Sequence, residues 1–277
     1  MRRENRKHVF VPIPERALWS LFECLASALC FMRQGALTED KSPADHRNVL
    51  HKDLKPQNIF RSTHTASDWP DIPIAKVGDF GCSVWLDHKD ANQMLGTPGW
   101  FAPESHTYSR KNFRVRSEMY DHEGWNPDQY KFPITNASDV WSVGRIMRYA
   151  MLQEEDELMA GVLFETESAQ LKFAPGQSSH GAVLKPAKAR EHFPEKMCEL
   201  VERCLNQFPQ DRIGVNELWA EVQEVVTSSI DEDGSTLKTS KGTEEEVWIE
   251  QVDKYLGMAT EGDSDYEGSE SDSSQSE

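Results

Sequence analysis

The sequence has few cysteines and no two of them arranged as Cys-x-x-Cys. Five thiols (Cys24, Cys30, Cys82, Cys198 and Cys204) are scattered over 277 residues. That odd number and spacing argue against a disulfide framework and a zinc site, and they fit a reducing compartment, cytosol or nucleus. Long apolar runs are lacking too. The longest, Ala17 to Met32, is broken by Glu23 and is too short to cross a bilayer. The N-terminus, Met1-Arg2-Arg3-Glu4-Asn5-Arg6-Lys7, carries no apolar segment of the secretory kind. Its bases read either as a nuclear signal or as a solvated end. Positive charge is scarce overall: 30 Lys and Arg face 47 Asp and Glu, a net charge of −17. From Ser229 onward fifteen acids meet three bases, so −12 of that charge sits in the last stretch. Such a tail repels nucleic acid and anionic membrane, neither of which is expected as a partner, and it favours basic proteins.

An apolar content of 38% suffices for a core. The richest stretch chemically is His51 to Asn58, His-Lys-Asp-Leu-Lys-Pro-Gln-Asn, followed at a distance by Asp79-Phe80-Gly81. Pro56 keeps it from winding on as a helix, so an acid (Asp53), a cation (Lys55) and an amide (Asn58) share one shaped loop. Mg²⁺ takes hard oxygen ligands, one or two of them from protein and the rest from phosphate and water. Asn58 and Asp79 offer two such oxygens. Asp53 is then free to orient a hydroxyl, and Lys55 to neutralise a phosphoryl group in transfer.

Around that loop the apolar periodicity predicts four helices. The first runs over 15–33, with Leu18, Trp19, Phe22, Leu25, Ala26, Leu29 and Met32 on one face and Pro14 at its start. A second runs over 139–152 with Asp139 as N-cap, and the others over 194–205 and 215–226. Ile59 and Phe60 read as a short strand, 61–73 as a polar loop, and 74–77 as the strand entering Asp79. The segment 153–192 reads as one helix and a long loop. Asn136-Ala137-Ser138 matches a glycosylation sequon that a reducing compartment makes accidental. Cys82 reads as a buried inert thiol or as a neighbour of a nucleotide.

The loop matches H-R-D-L-x-x-x-N with a downstream D-F-G, and in this the chain resembles the eukaryotic protein kinases, with Lys55 pointing to the serine/threonine branch. Further matches follow in the family's order: Gly96-Thr97-Pro98 through Ala102-Pro103-Glu104, then Asp139-Val140-Trp141-Ser142-Val143-Gly144, then Cys204-Leu205 leading to Pro209, Asp211 and Arg212. The resemblance implies an α+β family fold, here mainly α: a kinase-like C-lobe helical bundle with short β-hairpins at the catalytic loop, over 12–228, with polar insertions near 34–48 and 105–136. Outside it lie a basic extension over 1–11 and an acidic tail over 229–277, whose composition reads as mostly disordered with a short amphipathic helix at 244–257. By the same resemblance Asp53 is the base, Lys55 stabilises the phosphoryl group, and Asn58 and Asp79 hold Mg²⁺, with Mn²⁺ as substitute. Lys55, Asn58 and Asp79 are thereby the contacts to ATP. Phe80, Gly81, Thr97 and Glu104 belong to the activation and substrate segment. His51, Asp139 and Arg212 are structural supports, Arg212 as the partner of Glu104.

Two departures stand beside the matches. Only fifty residues precede His51, and they hold no G-x-G-x-x-G and no V-A-I-K, so the resemblance covers the larger lobe alone. Two readings follow: a serine/threonine kinase acting on protein substrates and represented by an N-terminally incomplete domain, its small lobe or a regulatory protein supplied elsewhere, or a non-catalytic C-lobe that binds proteins. Whether the chain by itself is an enzyme is left open. The second departure is Lys52, where the family has an Arg that receives a phosphate through a bidentate fork; Lys cannot form that fork. Between Ser83 and Thr97 there is no Ser, Thr or Tyr to carry such a phosphate. Activity is therefore expected to be independent of phosphorylation in this segment. Phosphosite mapping checks it, and a stoichiometric phosphate there that raises activity overturns it.

Overall fold

The computed structural model describes residues 13–65, 69–93, 95–97, 99–100, 102–108, 132–152, 193–206, 208–229, 232 and 234–239. The helix and loop expected in 153–192, the short helix at 244–257, the basic extension and most of the 105–136 insertion lie outside them.

Helix α1 (Glu15–Gln34) runs through the centre of the core. Its Leu18, Trp19, Phe22, Leu25, Ala26 and Leu29 recur at i, i+3 and i+4 and are all buried. Pro14 occupies its N-cap, where a missing N–H costs nothing. Gly35 ends it at φ 72°, returning its N–H to the carbonyl of Phe31 at 2.9 Å. A side chain at Gly35 would strain this left-handed turn, and its Cβ would lie 2.7 Å from His46 Nδ1. The 34–48 stretch is only partly the solvated insertion expected. Residues 38–45 are exposed, but Gln34 and Ala36 are buried and His46 Nε2 bonds the Met32 carbonyl at 3.1 Å.

Two small antiparallel sheets flank the catalytic-loop region. Strand β1 (Val49–Leu50) pairs with β4 (Val84–Trp85), and β2 (Ile59–Thr65) pairs with β3 (Pro73–Val77). The 61–73 segment is thus not a simple loop, because β2 reaches Thr65. The cause is Trp69, which is buried with its indole N–H donating to Glu23 Oε2 at 2.5 Å. That anchor holds the hairpin against α1. Polar composition around one buried aromatic hid this arrangement from the periodicity.

Helix α2 (Asn136–Leu152) starts three residues earlier than the sequence suggests. Thr135 Oγ1 accepts from Ala137 N–H, and Ser138 Oγ accepts from Thr135 N–H, a reciprocal arrangement of the capping-box kind. Asp139 is therefore not the N-cap, and its carboxylate is free for another task. Helices α3 (Glu195–Cys204) and α4 (Val215–Thr227) complete the bundle, burying Met197, Leu200, Val201 and Cys204 on one and Leu218, Val222 and Val226 on the other. Part of the segment assigned to the acidic tail also belongs to the domain. Thr236 bridges to Ser229, Leu237 packs on the core, and Lys238 forms an ion pair with Glu23.

Helices α2 and α3 touch at Gly144, where an added Cβ would lie 2.6 Å from Cys204 Cβ and 3.0 Å from Leu205 Cγ. Both neighbours are fully buried and cannot swing away. Gly144→Ala gains about 1 kcal/mol of helix propensity but incurs about 1–3 kcal/mol of overpacking. With two immobile contacts the clash wins, and urea unfolding should show a net loss of up to about 2 kcal/mol.

Candidate active site

The catalytic-loop stretch is held from below by one carboxylate. Asp139, buried in the first turn of α2, accepts from His51 N–H at 2.8 Å and Lys52 N–H at 3.0 Å. Burial pushes its carboxyl pKa up, while these two N–H groups and the charge of Lys52 oppose the shift. Held in this way, Lys52 adopts φ 67°, a left-handed conformation that a side-chain-bearing residue keeps only when its surroundings enforce it. A second clamp lies alongside: the side-chain amides of Asn48 and Asn136 exchange two hydrogen bonds, at 2.7 and 2.9 Å.

His51 joins the loop to the Asp79-Phe80-Gly81 turn. Its Nδ1 accepts from Asp53 N–H at 3.3 Å, which assigns the proton to Nε2, and Nε2 donates to the Gly78 carbonyl at 3.1 Å. The Phe80 ring leans on the imidazole with centroids 4.9 Å apart. Asp79 is exposed, at φ 58°, and its Oδ1 accepts from Gly81 N–H at 3.3 Å. The Gly78 N–H in turn donates to the Asn58 carbonyl at 3.0 Å, so Asn58 and Asp79 lie on directly bonded segments.

Asp53, Lys55, Asn58 and Thr97 form one cluster. Lys55 Nζ lies 2.9 Å from Asp53 Oδ2 and 2.6 Å from Thr97 Oγ1. The Asn58 NH₂ group donates to the Asp53 carbonyl at 2.8 Å and to Oδ2 at 3.2 Å. Burial alone would raise the Asp53 pKa, but Lys55, Thr97 and Asn58 together hold it below the ordinary carboxylate value. Its other oxygen, Oδ1, is buried and has no hydrogen-bond partner among the described residues. A buried acceptor without a partner is one that a hydroxyl donor would satisfy.

Glu104 and Arg212 meet in a fully buried fork, with bonds of 2.6 and 2.7 Å. Ser138 Oγ adds a third bond to Glu104 at 2.6 Å. Arg212 also donates to the carbonyls of Asn206 and Ala137 and lies over the Trp141 ring at 5.0 Å. Gly81 follows the Asp79 turn, and Cys82 beside it is half-buried, between the two readings given for it.

Two features had only a faint signal in the sequence, or none. Phe60 is half exposed and covers Gly78, whose Cβ would meet the ring at 2.6 Å; this places an apolar face beside the Asp79 turn. Alternation across a short strand does not reveal it. Lys52 stands out in the sequence only as a departure from Arg. In the structure its ammonium lies on the carbonyls of Asp90, Ala91 and Gln93, at 3.4, 2.9 and 2.6 Å. Burial lowers its pKa, opposed by the charges of Asp139, Cys82 and Asp90.

Among the described residues no group of three or more His, Cys, Asp or Glu is placed to hold a metal ion. Asn58 and Asp79 do fit a different kind of site. The Asn58 NH₂ is engaged with Asp53, leaving its amide oxygen for a cation, and the Asp79 carboxylate faces solvent. Two hard oxygens suit Mg²⁺ when phosphate and water complete its shell.

A helical bundle that presents an Asp-Lys-Asn loop beside an Asp-Phe-Gly turn has the arrangement of a protein kinase domain. Comparison with known proteins agrees: residues 44–122 match the protein kinase domain family. The chain is 39% identical over 100 residues to the serine/threonine-protein kinase Nek1 of Toxoplasma gondii, covering 35% of this chain and 6% of that protein. It is 29% identical over 209 residues to the serine/threonine-protein kinase ULK3 of Xenopus laevis (75% and 34%) and 31% identical over 148 residues to atg1 of Dictyostelium discoideum (53% and 16%). These matches support a place for the chain in the eukaryotic serine/threonine protein kinase superfamily. It spans no more than 34% of the length of these three relatives.

The depressed Asp53 pKa has a testable sign. Following its side-chain carboxyl carbon by NMR, the folded protein should titrate below the ordinary value of about 3.9. The stability this group contributes is then present at neutral pH and is lost as pH falls through the folded-state pKa. In Lys55→Met the midpoint should rise.

Proposed function

We propose that this chain carries the phosphotransfer centre of a serine/threonine protein kinase, which moves the γ-phosphoryl group of ATP to a hydroxyl on a protein substrate. The observation that carries this reading is the buried, unpartnered Oδ1 of Asp53 in a carboxylate whose other oxygen is tied to Lys55 and Asn58. When bound, Mg²⁺-ATP supplies the phosphoryl group and a diphosphate leaving group. Asn58 and Asp79 hold the metal through their side-chain oxygens. Asp53 Oδ1 accepts the hydrogen bond of the incoming hydroxyl, aims its oxygen at phosphorus and takes its proton as the new bond forms. Lys55, already bound to Asp53 and Thr97, brings positive charge to the transferring oxygens. Thr97 ties the acceptor side of the groove to that same lysine. Phe60 offers a flat apolar surface to the base of the nucleotide.

A kinase of this kind works in the cytoplasm or nucleus, where ATP and reduced thiols coexist. Its partners would be protein substrates and, if the small lobe is a separate piece, that lobe.

Two measurements on the full chain test the reading. Calorimetric titration with Mg²⁺-ATP should show binding that Asp79→Asn loses and Asp53→Asn keeps. Transfer of labelled phosphate to a generic protein acceptor should fall by about 10²–10⁴ in Asp53→Asn. Transfer that is unchanged in Asp53→Asn removes the assigned role. A folded chain that neither binds nor transfers favours the protein-binding module.

A further inference from the structure

The turn formed by residues 86–93 carries no hydroxyl that could be phosphorylated, yet it is well held. Leu86 N–H donates to the Asn48 carbonyl at 2.8 Å, His88 N–H to Trp85 at 2.9 Å, Ala91 N–H to His88 at 2.9 Å and Gln93 N–H to Asp90 at 3.0 Å. Three of these bonds close small local turns, which do not fix where the segment sits against the rest of the molecule. Beside the Leu86 bond and the packing of Ala91 and Leu86 with Leu50 and Ile134, three polar contacts of side chains reach out of it among the described residues. Arg47 bonds Asp87 on the exposed surface at 2.8 Å, and Asn92 Oδ1 accepts from Ile134 N–H at 2.9 Å. The third is the Lys52 ammonium, which converges on the carbonyls of Asp90, Ala91 and Gln93.

These contacts differ in weight. An exposed ion pair such as Arg47 with Asp87 is worth little. A half-buried ammonium with three carbonyl acceptors makes charge-assisted bonds, each about twice as strong as a neutral one. The three carbonyls also point to a common centre, because residues 90–93 curl around it. Lys52 reaches that centre from a left-handed backbone whose N–H is bonded to Asp139.

We infer that Lys52 is a positioning residue: its ammonium takes the place of a phosphate-borne tether and fastens the segment at 90–93 by its backbone carbonyls, which keeps the neighbouring Thr97 on Lys55 and Asp53. A chain of contacts runs from α2 through Asp139, Lys52 and the 90–93 carbonyls toward Thr97, Lys55 and Asp53. The tether is built into the sequence and is always present, so the segment is ordered in the unmodified chain. The substrate-side consequence rests on the function proposed above, but the tether itself does not.

Hydrogen exchange read by mass spectrometry tests it without any catalytic assay. The full chain is treated with a phosphatase and checked for the absence of phosphate between Ser83 and Thr97. The wild type should then protect the amides of His88, Ala91 and Gln93. Lys52→Gln should exchange them at least about tenfold faster, with α1, α2 and α4 unchanged. Lys52→Arg, a cation long enough to reach the same carbonyls, should restore protection. Free exchange of the segment in the dephosphorylated wild type overturns the inference, and so does Lys52→Gln indistinguishable from wild type. If Lys52→Gln does not fold, Lys52→Arg decides: protected amides support the tether, and free exchange in a folded Lys52→Arg overturns it. Should the chain prove inactive, these exchange results stand independently. Should it be active, Lys52→Gln raises KM for the protein acceptor more than KM for ATP.

Discussion

The geometry of the site depends on a single buried carboxylate receiving two backbone N–H groups. Asp139 sits in the first turn of α2, itself packed into the core by Val140, Val143 and Met147. A charge in that position is costly unless it is fully hydrogen-bonded. Its two partners are the amides of His51 and Lys52, so the acid is satisfied when the 51–58 loop is held in one conformation. From that constraint follow the left-handed turn at Lys52, the imidazole of His51 directed at Gly78, and the seat of Asp53. The rigidity of the bundle is thus transmitted to a loop that has almost no regular structure of its own.

The Glu104–Arg212 pair performs a parallel task for the segment that follows Asp79. A buried ion pair is a weak source of net stability, because desolvation offsets much of the attraction, but losing one partner costs about 3–5 kcal/mol. Its value here is geometric. Glu104 closes the segment that begins at Asp79, and Arg212 lies beyond α3, 108 positions later in the chain. Their fork, the bond from Ser138 and the Trp141 face together permit one register of the segment against the bundle. Thr97 lies between these fastenings, tied to Lys55.

The parts of the chain that are legible in the sequence share one property: local pattern encodes them. The four helices follow from their apolar spacing, and the acid, cation and amide of the loop from a compact motif. Boundaries set by side-chain chemistry are less visible. Asp139 looked like a cap because Asp favours caps, but Thr135 and Ser138 had already satisfied the helix end. The extension of the β2–β3 hairpin beyond Phe60 reads as a loop in the sequence because its anchor is Trp69 against α1, a contact across 46 positions. The roles of Asn48 and Lys52 were equally hidden, since an Asn–Asn clamp 88 residues apart and a cradle of backbone carbonyls leave no side-chain signature.

The same reasoning explains why the start of the acidic stretch folds when its composition argues otherwise. Arg16, on the first turn of α1, is buried and donates to the carbonyls of Leu237 and Lys238 and to that of Pro70, while its guanidinium lies 5.5 Å over the Trp69 ring. Glu23, two turns on, accepts from Trp69 and Gln223 and pairs with Lys238. These two buried charges take partners from outside the helix, whose own backbone is already bonded. The hairpin tip supplies Trp69 and Pro70, and the chain after α4 supplies two carbonyls and an ammonium. Removing residues 235–239 would leave Arg16 and Glu23 under-partnered in a low-dielectric setting, so ordering this short strap costs less than leaving it free. Composition decides disorder only where the core makes no such demand.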